Sequence, residues 1–330
     1  MGFVLCKIRI FYQIIVLSLQ KILKIMLSRR ILRIKAFKVV YSLLENPAMS
    51  RQEAEAELER SCESTRDLYL FLMSLICPLT SEASARIEAA RSKFHPTEEE
   101  RNPNLKFVTN AIAPILSDDP DMQKLLKKKK FSWDQYDAFL RHLYESVREK
   151  DYFKEYMADS STSLKEDAAL FVKIFEQELD DNDELSDILE DMSIYWNDDV
   201  AYALTWCCRS VESLGKGRRW VWPELYQSDM PGNEDRESDK AFVVNIVRTA
   251  VRNVDKYTAS VAEITPKWDK NRICTTDLAL IISGLSEAEA FPHIGSRTTI
   301  NEYVEISKYY STPESSSFVN GILDKLINKK

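Results

Sequence analysis

Residues 299–326 read TINEYVEISKYYSTPESSSFVNGILDKL. In the first half, one helical face is formed by positions spaced i, i+3, i+4, i+7 and i+10, namely Ile300, Tyr303, Val304, Ser307 and Tyr310. In the second half, Thr312, Pro313 and Glu314 predict a capping residue, a proline at the first helical position and an acid in the first turn. A second stripe follows, formed by Phe318, Val319, Ile322, Leu323 and Leu326. The stretch therefore predicts two amphipathic helices joined by a short polar turn.

The composition of the whole chain also favours helices. Its 330 residues include only 7 glycines, which is roughly 2% against a usual ~7% and leaves little material for hairpin turns. Long runs rich in Leu, Glu, Lys, Ala and Asp take their place. We expect an all-α fold in one or two domains.

Motifs typical of enzyme active sites are missing from the sequence. It contains no glycine-rich phosphate loop, nucleophile elbow, neighbouring histidine pair or cofactor fingerprint. Six cysteines stand at 6, 62, 77, 207, 208 and 274 without a C-x-x-C, which indicates a reduced, cytoplasmic chain. None of His95, His142 and His293 has a Cys or His three or four residues away. We therefore expect a protein that is not an enzyme and that binds no cofactor and no metal.

Charge is segregated along the chain. Residues 1–44 contain nine basic side chains and no acidic one, since the first carboxylate is Glu45. The remaining residues carry 36 basic against 52 acidic side chains, so an overall charge of −7 combines a basic end with an acidic body. Such a basic end can offer a local phosphate-binding site whose affinity falls with salt.

Residues 1–25 contain an apolar run from Phe11 to Leu19 that Gln13 interrupts and basic residues flank. Nine residues are too few to span a bilayer, and no small-x-small cleavage site follows. A signal sequence or a membrane-surface helix is one interpretation of this segment. We favour the other, an extension without a role upstream of a translation start at Met26, and we expect no membrane partner.

Residues 26–45 predict a helix with Ser28 as its N-cap and a buried stripe of Leu32, Ala36, Val39, Val40 and Leu43. Arg29, Arg30 and Arg33 lie within about 100° of one another on this helix. They lie at its N-terminal end, where the helix dipole stabilises an anion and does not stabilise a cluster of cations. Lys35 and Lys38 extend the basic character on another side. The cluster is either a solvated helix end or a phosphate-binding site.

Three patterns resemble the NusB family of transcription antitermination factors. They are the arginine-rich helix at 29–41, the Ile-Asn-Glu at 300–302, and the Phe-Val-Asn-Gly-Ile-Leu-Asp at 318–324. An Asn-Gly inside a helix costs roughly 1 kcal/mol relative to alanine, so this last wording is uncommon in generic helices. The helix around 276–289, which we expect Thr276 to cap, adds an acid at Asp277, the glutamate at Glu287 and a following Pro292. Residues 295–299 depart from the family pattern, which has an apolar Val-Ala there.

The resemblance implies a NusB-like helical bundle assembled from residues 26–45 and 238–330, with a large helical insert at 46–237. It also implies binding of boxA RNA together with the ribosomal protein NusE in the transcription elongation complex, in support of antitermination and ribosome biogenesis. The residues implied in RNA binding are Arg29, Arg30, Arg33, Lys35, Lys38, Tyr41, Glu314 and Phe318. Asp277 and Glu287 are implied in docking NusE. The alternative is a helical protein-interaction scaffold that kept this fold without binding RNA.

The insert is predicted to be helical throughout, including single helices over 104–116 and 133–148 and a helix stopped by Gly215. It contains a four-lysine run, Lys127–Lys130, followed by Phe131 and Trp133. A second basic and aromatic patch is Arg218, Arg219, Trp220 and Trp222. Basic side chains beside aromatic ones suit single-stranded nucleic acid, although a solvated helix end and core tryptophans explain the same patterns. The acidic segment 178–184 is interpreted as a solvated turn, because it lacks the order of a calcium loop.

Overall fold

The computed structural model describes residues 26–227, 238–265 and 273–328. The predicted extension at 1–25 lies outside these ranges. Within them the regular structure is helical and no strand is present, which confirms the all-α prediction. The α-helices are α1 Arg29–Glu45, α2 Arg51–Ser74, α3 Ile76–Arg91, α4 Glu98–Arg101, α5 Ile112–Ser117, α6 Pro120–Lys129, α7 Asp137–Glu149, α8 Asp151–Ala158, α9 Leu164–Ile174, α10 Asp183–Met192, α11 Val200–Gly215, α12 Asp239–Ile264, α13 Thr275–Ala290, α14 Ser296–Tyr310 and α15 Ser315–Ile327.

The chain forms two compact units. Unit 1 combines the described residues up to Glu63 with those from Glu224 onward, and unit 2 comprises Ser64–Pro223. Unit 1 therefore contains α1, the first part of α2 and α12–α15, whereas unit 2 contains the rest of α2 and α3–α11. The limits of the two units at residues 63/64 and 223/224 are set by which residues pack together. The predicted insert limits of 46 and 237 refer to the family pattern and stay a prediction.

Helix α13 is the core helix of unit 1. It packs against α1, α12, α14 and α15, and every residue from Ala279 to Glu287 is buried. A helix that is enclosed on all sides has no solvated face for its polar groups. The hydroxyls of Ser283 and Ser286 accordingly donate to the carbonyls of Ala279 and Ile282, each over 2.7 Å. All other described helices of the family-like part are thus arranged around α13.

Helix α1 begins as the sequence predicts. The Ser28 side chain accepts a hydrogen bond from the backbone N–H of Ile31, so Ser28 is the N-cap. The stripe at Leu32, Ala36, Val39, Val40 and Leu43 is buried, between 0% and 4% exposed. This stripe packs α1 against α12 and α13. The two sequence signals that predicted α1, its cap and its apolar periodicity, are both confirmed.

The chain returns to unit 1 beside the point at which it left. The backbone N–H groups of Met26 and Leu27 donate to the carbonyls of Glu224 and Leu225 over 2.8 and 3.1 Å. The phenol of Tyr226 forms a hydrogen bond with the Cys62 side chain. Burial of the phenol, together with Cys62 beside it, raises the pKa of Tyr226. The residues that precede unit 2 and those that follow it are therefore held within one small region.

The start of α2 is tied to α12 by ion pairs on the surface of unit 1. Arg248 binds Glu55 through two hydrogen bonds of 2.8 Å, and Arg51 adds a third of 2.7 Å. These hydrogen bonds lower the pKa of Glu55 to about 2. The carboxylate therefore stays charged well below neutral pH, and it fixes α2 on α12.

Unit 2 is built around aromatic side chains and a close helix pair. The Phe71 ring stacks on Trp133 at 4.1 Å and also lies beside Phe131 and Trp196. The indole N–H of Trp133 donates to the Ser74 hydroxyl over 3.0 Å. Helix α11 packs on α9, and at its end a Cβ added to Gly215 would stand 2.6 Å from the Cβ of Ala168. These contacts give unit 2 an apolar core of its own.

Local sequence signals gave wrong boundaries at three sites. The predicted helix at 104–116 begins only at Ile112, because the Asn110 side chain accepts from the N–H groups of Ile112 and Ala113 and stops the helix from extending backward. The predicted helix at 133–148 begins at Asp137, since Trp133 is used in the aromatic core. Thr276 lies inside α13, which begins one residue earlier with Cys274 at the N-cap position.

The second helix of the C-terminal pair also starts later than predicted. Thr312 and Pro313 precede α15, whose N-cap position is Glu314 without a side-chain cap. The reason is a tertiary contact: the Asp277 carboxylate accepts hydrogen bonds from the hydroxyls of Ser311 and Ser315 over 2.6 and 2.9 Å. A buried acid on α13 therefore fixes the start of α15, and the local capping signal does not.

The segment Arg51–Arg91, which comprises α2 and α3, is long and apolar enough by composition to cross a membrane, with a window of mean hydropathy 1.4. In this structure 61% of that window is buried. Burial of this kind is typical of the core helices of a folded protein.

Two glycines in helices provide a matched test of this packing. A Cβ on Gly284 of α13 would stand 2.8 Å from Leu323 Cδ2 and 3.3 Å from Tyr303 Cδ2, whereas a Cβ on Gly321 of α15 would meet nothing within 4 Å. Alanine gains about 1 kcal/mol in helix propensity at either site. We expect Gly321→Ala to raise the free energy of unfolding. The free energy of unfolding of Gly284→Ala should be about 1–3 kcal/mol lower than that of Gly321→Ala, because the added methyl group overpacks the core. Denaturant unfolding of both variants tests this, and equal stabilities would contradict the packing described for α13.

Candidate functional site

The basic end of α1 faces three acidic side chains from elsewhere in unit 1. Arg29, Arg30 and Arg33 each form an ion pair, with Asp239 of α12, Glu302 of α14 and Glu287 of α13 respectively. The partners lie 210, 272 and 254 residues away in sequence. The chain itself therefore neutralises the three arginines that the sequence predicts as phosphate ligands.

The pair of Arg33 and Glu287 is the most deeply buried of the three. Two parallel hydrogen bonds of 2.8 and 2.7 Å join the guanidinium to the carboxylate. The Arg33 side chain is 7% exposed and that of Glu287 is 0% exposed. Burial works against the charge of Arg33, but the hydrogen bonds and the negative charge of Glu287 outweigh it and raise the pKa of Arg33. The Thr299 hydroxyl also donates to Glu287 over 3.1 Å, which adds α14 to the junction.

The pair of Arg30 and Glu302 lies nearer to solvent. It is also bidentate, with hydrogen bonds of 2.8 and 2.7 Å, and the two side chains are 26% and 19% exposed. Burial acts to raise the pKa of Glu302, but the hydrogen bonds from Arg30 and the charge of Arg33 overcome it and hold the pKa below its usual value. Arg33 Nη1 lies 3.6 Å from Glu302 Oε2, so the two pairs form one network.

The pair of Arg29 and Asp239 is supported by an aromatic ring. The Arg29 Nε donates to Asp239 over 3.1 Å. The guanidinium carbons of Arg29 and Arg33 lie 4.6 and 5.2 Å from the centroid of the Phe242 ring. A cation over an aromatic face is worth about 0.5–1 kcal/mol at exposed sites and more where it is desolvated. Phe242 thus helps to orient both guanidinium groups.

The second half of α1 meets the end of α14. The Phe37 ring packs against Tyr310 with centroids 5.3 Å apart, and the Lys38 ammonium lies 5.8 Å from the centroid of the same Tyr310 ring. Tyr41 follows on α1 with 37% of its surface exposed. Tyr310 is the last residue of α14, directly before the turn that leads to Glu314 and Phe318. The structure thus brings Lys38 next to the C-terminal helix pair.

The predicted site residues separate by burial. Arg33, Lys35, Asp277 and Glu287 are buried, at 6%, 0%, 7% and 0% exposure. Arg29, Arg30, Lys38 and Phe318 are half-buried, whereas Tyr41 and Glu314 are exposed. Asp277 and Glu287 hold α15 and α1 in place through the hydrogen bonds described above. RNA contact and partner contact by the ten residues stay predictions.

Four residues of this site were missed in the sequence. They are Asp239, Phe242, Glu302 and Tyr310, which supply the ion-pair and ring partners of α1. One signal pointed to two of them, Asp239 and Glu302: residues 1–44 contain no acid, so acidic partners for buried arginines had to come from another helix. Glu302 in particular lies in the quoted Ile-Asn-Glu pattern.

Comparison with known proteins agrees with this architecture. The model of the NusB family matches residues 224–328. A transcription antitermination protein NusB from Syntrophotalea carbinolica is 32% identical over 108 residues, which cover 31% of this chain and 69% of that protein. This chain belongs to the NusB family. The NusB protein of Alkaliphilus oremlandii is 32% identical over 94 residues, covering 28% of this chain and 68% of the relative.

The matched region is only part of each protein. The NusB protein of Chloroherpeton thalassium is 30% identical over 130 residues, and these cover 39% of this chain and 57% of that relative. The chain thus spans little more than half of that NusB protein and about two thirds of the other two. No solved structure matches the chain.

The buried ion pair predicts a large stability effect. Glu287→Gln removes the charge that compensates Arg33, and breaking one partner of a buried pair costs about 3–5 kcal/mol. We expect a loss of this size in the free energy of unfolding, measured with denaturant at pH 7. The double variant Arg33→Met, Glu287→Leu should recover most of it, because no charge is then left buried. Glu305→Gln, which changes an exposed carboxylate on α14, is the control and should cost less than about 0.5 kcal/mol; an equal loss in this control would contradict the special role of Glu287.

The more exposed pair predicts a dependence on pH. Because the pKa of Glu302 is lowered in the folded chain, its contribution to stability is present above the unfolded-state pKa of about 4.3 and is lost as pH falls below it. We expect Glu302→Gln to be less stable than the natural chain at pH 7 and at pH 5. The difference should shrink below about pH 4. Unfolding curves of both chains across this range test the prediction, and a difference that stays constant down to pH 3 would contradict it.

Proposed function

We propose that this chain is a non-catalytic transcription antitermination factor that binds boxA RNA together with NusE. The observation that carries the proposal is the juxtaposition in unit 1: the second half of α1, with half-buried Lys38 and exposed Tyr41, meets the end of α14 at Tyr310. Membership of the NusB family supports it, since the relatives are transcription antitermination proteins.

Burial divides the predicted RNA residues into two roles in this proposal. Lys38 and Tyr41 contact the RNA, with Arg29, Arg30, Glu314 and Phe318 at its edges. Tyr41 offers a flat, exposed ring on which a base can stack, and Lys38 offers a charge for a phosphate. Arg33 and Lys35 lie inside the unit and act by holding α1 in register. Glu314 does not repel the RNA if it accepts from base amino groups, as carboxylates do.

Two buried acids have a corresponding role in docking NusE. Asp277 fixes the start of α15, and Glu287 fixes α1 and α14, all against α13. We place the NusE-binding face on the helices that these two carboxylates align, and the carboxylates act on NusE affinity through the shape of that face. The transcription elongation complex is the setting that the family relationship supports.

A protein-interaction scaffold without RNA binding is the second candidate. The pairing of all three arginines with carboxylates of the same chain favours it, because RNA would have to compete with those partners. The acidic body of the chain favours it as well.

Binding of labelled boxA RNA, measured by anisotropy with and without NusE between 50 and 200 mM salt, tests the proposal. We expect the double variant Lys38→Gln, Tyr41→Ala to bind roughly tenfold more weakly or worse, with a salt slope lower by about 0.7 for the lost phosphate contact. Lys308→Gln is the control, because it removes an exposed charge from α14 of the same unit. It should bind like the natural chain.

Two outcomes would contradict the proposal that this chain binds boxA RNA through Lys38 and Tyr41. One is unchanged binding in the double variant. The other is a natural chain that binds boxA RNA no better than unrelated RNA while it still binds NusE, which would leave the scaffold as the function.

A further inference from the structure

Two groups of basic side chains on unit 2 have no part in the ion pairs of the fold. The first, the lysine cluster, is Lys127, Lys128 and Lys130 at the end of α6. The second, the arginine cluster, is Lys216, Arg218 and Arg219 directly after α11. All six side chains are exposed. None of them makes an ion pair or a side-chain hydrogen bond with any residue in the described part of the chain.

Residues close in sequence to the two clusters contact the same turn of α2. Between the lysines of the first cluster, Lys129 binds Asp67 of α2 over 2.8 Å. Behind the second cluster, the Arg66 guanidinium lies 4.8 Å from the centroid of the Trp222 ring, and its Nη1 donates to the Pro223 carbonyl over 3.3 Å. Arg66 and Asp67 are consecutive residues. One turn of a single helix therefore anchors the chain near both clusters.

Rigid aromatic packing holds each cluster in place. Trp133, three residues after Lys130, is stacked on Phe71 and is 3% exposed. Trp220, next to Arg219, is 4% exposed and donates its indole N–H to the Tyr69 hydroxyl over 2.8 Å. Trp133 and Trp220 are core residues, as the structural interpretation of these patterns predicts, whereas Trp222 is half-buried. Their basic neighbours remain outside on anchored backbone.

Local structure explains only part of the lysine cluster. Cations at a helix C-terminus gain about 0.3–1 kcal/mol from the helix dipole, which accounts for one or two lysines. Lys130, however, occupies the C-cap with φ 58° and ψ 37°. This left-handed conformation is usually taken by glycine, and it costs another residue about 1 kcal/mol or more. A lysine at this position is therefore unfavourable for the fold.

The clusters also stand out against the charge of their own unit. Residues 64–223 carry 21 basic and 30 acidic side chains. The described ion pairs of unit 2 use other cations, for example Lys93 with Glu100 and Lys154 with Glu149. A local positive region on an acidic unit attracts a polyanion to that region and to little else.

We propose that the lysine and arginine clusters together bind the phosphate backbone of single-stranded RNA without regard to sequence. Six unpaired cations need no partner to be displaced, unlike Arg29, Arg30 and Arg33 of unit 1. Flexible ammonium groups and two adjacent guanidinium groups suit a string of phosphates, and contacts to phosphates do not depend on the base sequence. The inference rests on the proposed function for the identity of the polyanion, because a nascent transcript supplies RNA beyond the boxA element.

Binding of a fluorescein-labelled 12-mer of uridine, which contains no boxA sequence, to the full chain tests this inference. The patch variant carries Lys127→Gln, Lys128→Gln, Lys130→Gln, Arg218→Gln and Arg219→Gln and keeps Lys129. We expect about tenfold weaker binding or worse at 100 mM salt and a visibly flatter salt dependence. Its far-UV circular dichroism should stay unchanged and its melting temperature should fall by no more than a few degrees, because the five side chains hold no partner among the described residues and lose only the interaction with the dipole of α6.

Two controls separate position from charge and this inference from the proposed function. Lys93→Gln, Lys154→Gln removes two exposed charges from the same unit and should bind like the natural chain, whereas the matched pair Arg218→Gln, Arg219→Gln alone should bind more weakly. The variant Lys38→Gln, Tyr41→Ala should keep its affinity for the uridine 12-mer. A chain that does not bind boxA RNA specifically could thus still bind the uridine 12-mer through unit 2. Conversely, a chain that does not bind the uridine 12-mer could still bind boxA RNA through unit 1.

Three results would overturn the inference. They are no binding of the uridine 12-mer by the natural chain, equal binding by the patch variant, and an equal loss in the Lys93 and Lys154 control. Tighter binding of polyglutamate than of the uridine 12-mer would overturn it as well, because the surface would then serve an acidic protein.

Discussion

The buried ion pair between Arg33 and Glu287 is the contact on which unit 1 depends. It joins the first described helix to the core helix across 254 residues of sequence, and Thr299 attaches a third helix to the same carboxylate. Such a pair adds less to stability than its distances suggest, because both charges lose their hydration. Its main effect is on the placement of α1. The bidentate geometry is satisfied at only one rotation of α1 about its axis and one position of α1 along α13. The ion pair of Arg33 and Glu287 therefore also determines where the exposed side chains of α1 lie.

This constraint explains why an arginine-rich helix need not be an arginine-rich surface. Of three arginines that the sequence places on one side of α1, one is buried and two are half-buried, and all three are paired. Further along α1, Lys38 is half-buried beside Tyr310 and Tyr41 is exposed. In unit 2 the situation is reversed, since the exposed lysines at the end of α6 and the arginines after α11 have no acidic partner among the described residues. Basic character in the sequence and available positive charge in the structure are thus different properties.

Local signals predicted most of the helices, and tertiary contacts decided what they could not. Ser28 and the stripe of α1 were correct because capping and periodicity act within a few residues. Thr312 and Pro313 failed as a helix start, because Asp277, more than thirty residues earlier, binds the serines at the true start. The partners of the arginines could not be predicted by spacing at all, since Asp239, Glu287 and Glu302 become neighbours only after three helices pack. The resemblance to the NusB family supplied the fold, but burial of Lys35 and Glu287 is visible only in the packed unit.

The hydrogen bonds that join Met26 and Leu27 to Glu224 and Leu225, with Tyr226 bonded to Cys62, have an evolutionary consequence. They keep the exit and the re-entry of the chain close together whatever lies between. The entropy of closing a loop grows only with the logarithm of its length, by about 0.6 kcal/mol per doubling. Between such fixed ends, a short connection can lengthen to 160 residues and acquire its own core at little cost to the host fold. Unit 1 thereby keeps one core although the 160 residues of unit 2 separate its two parts in the sequence.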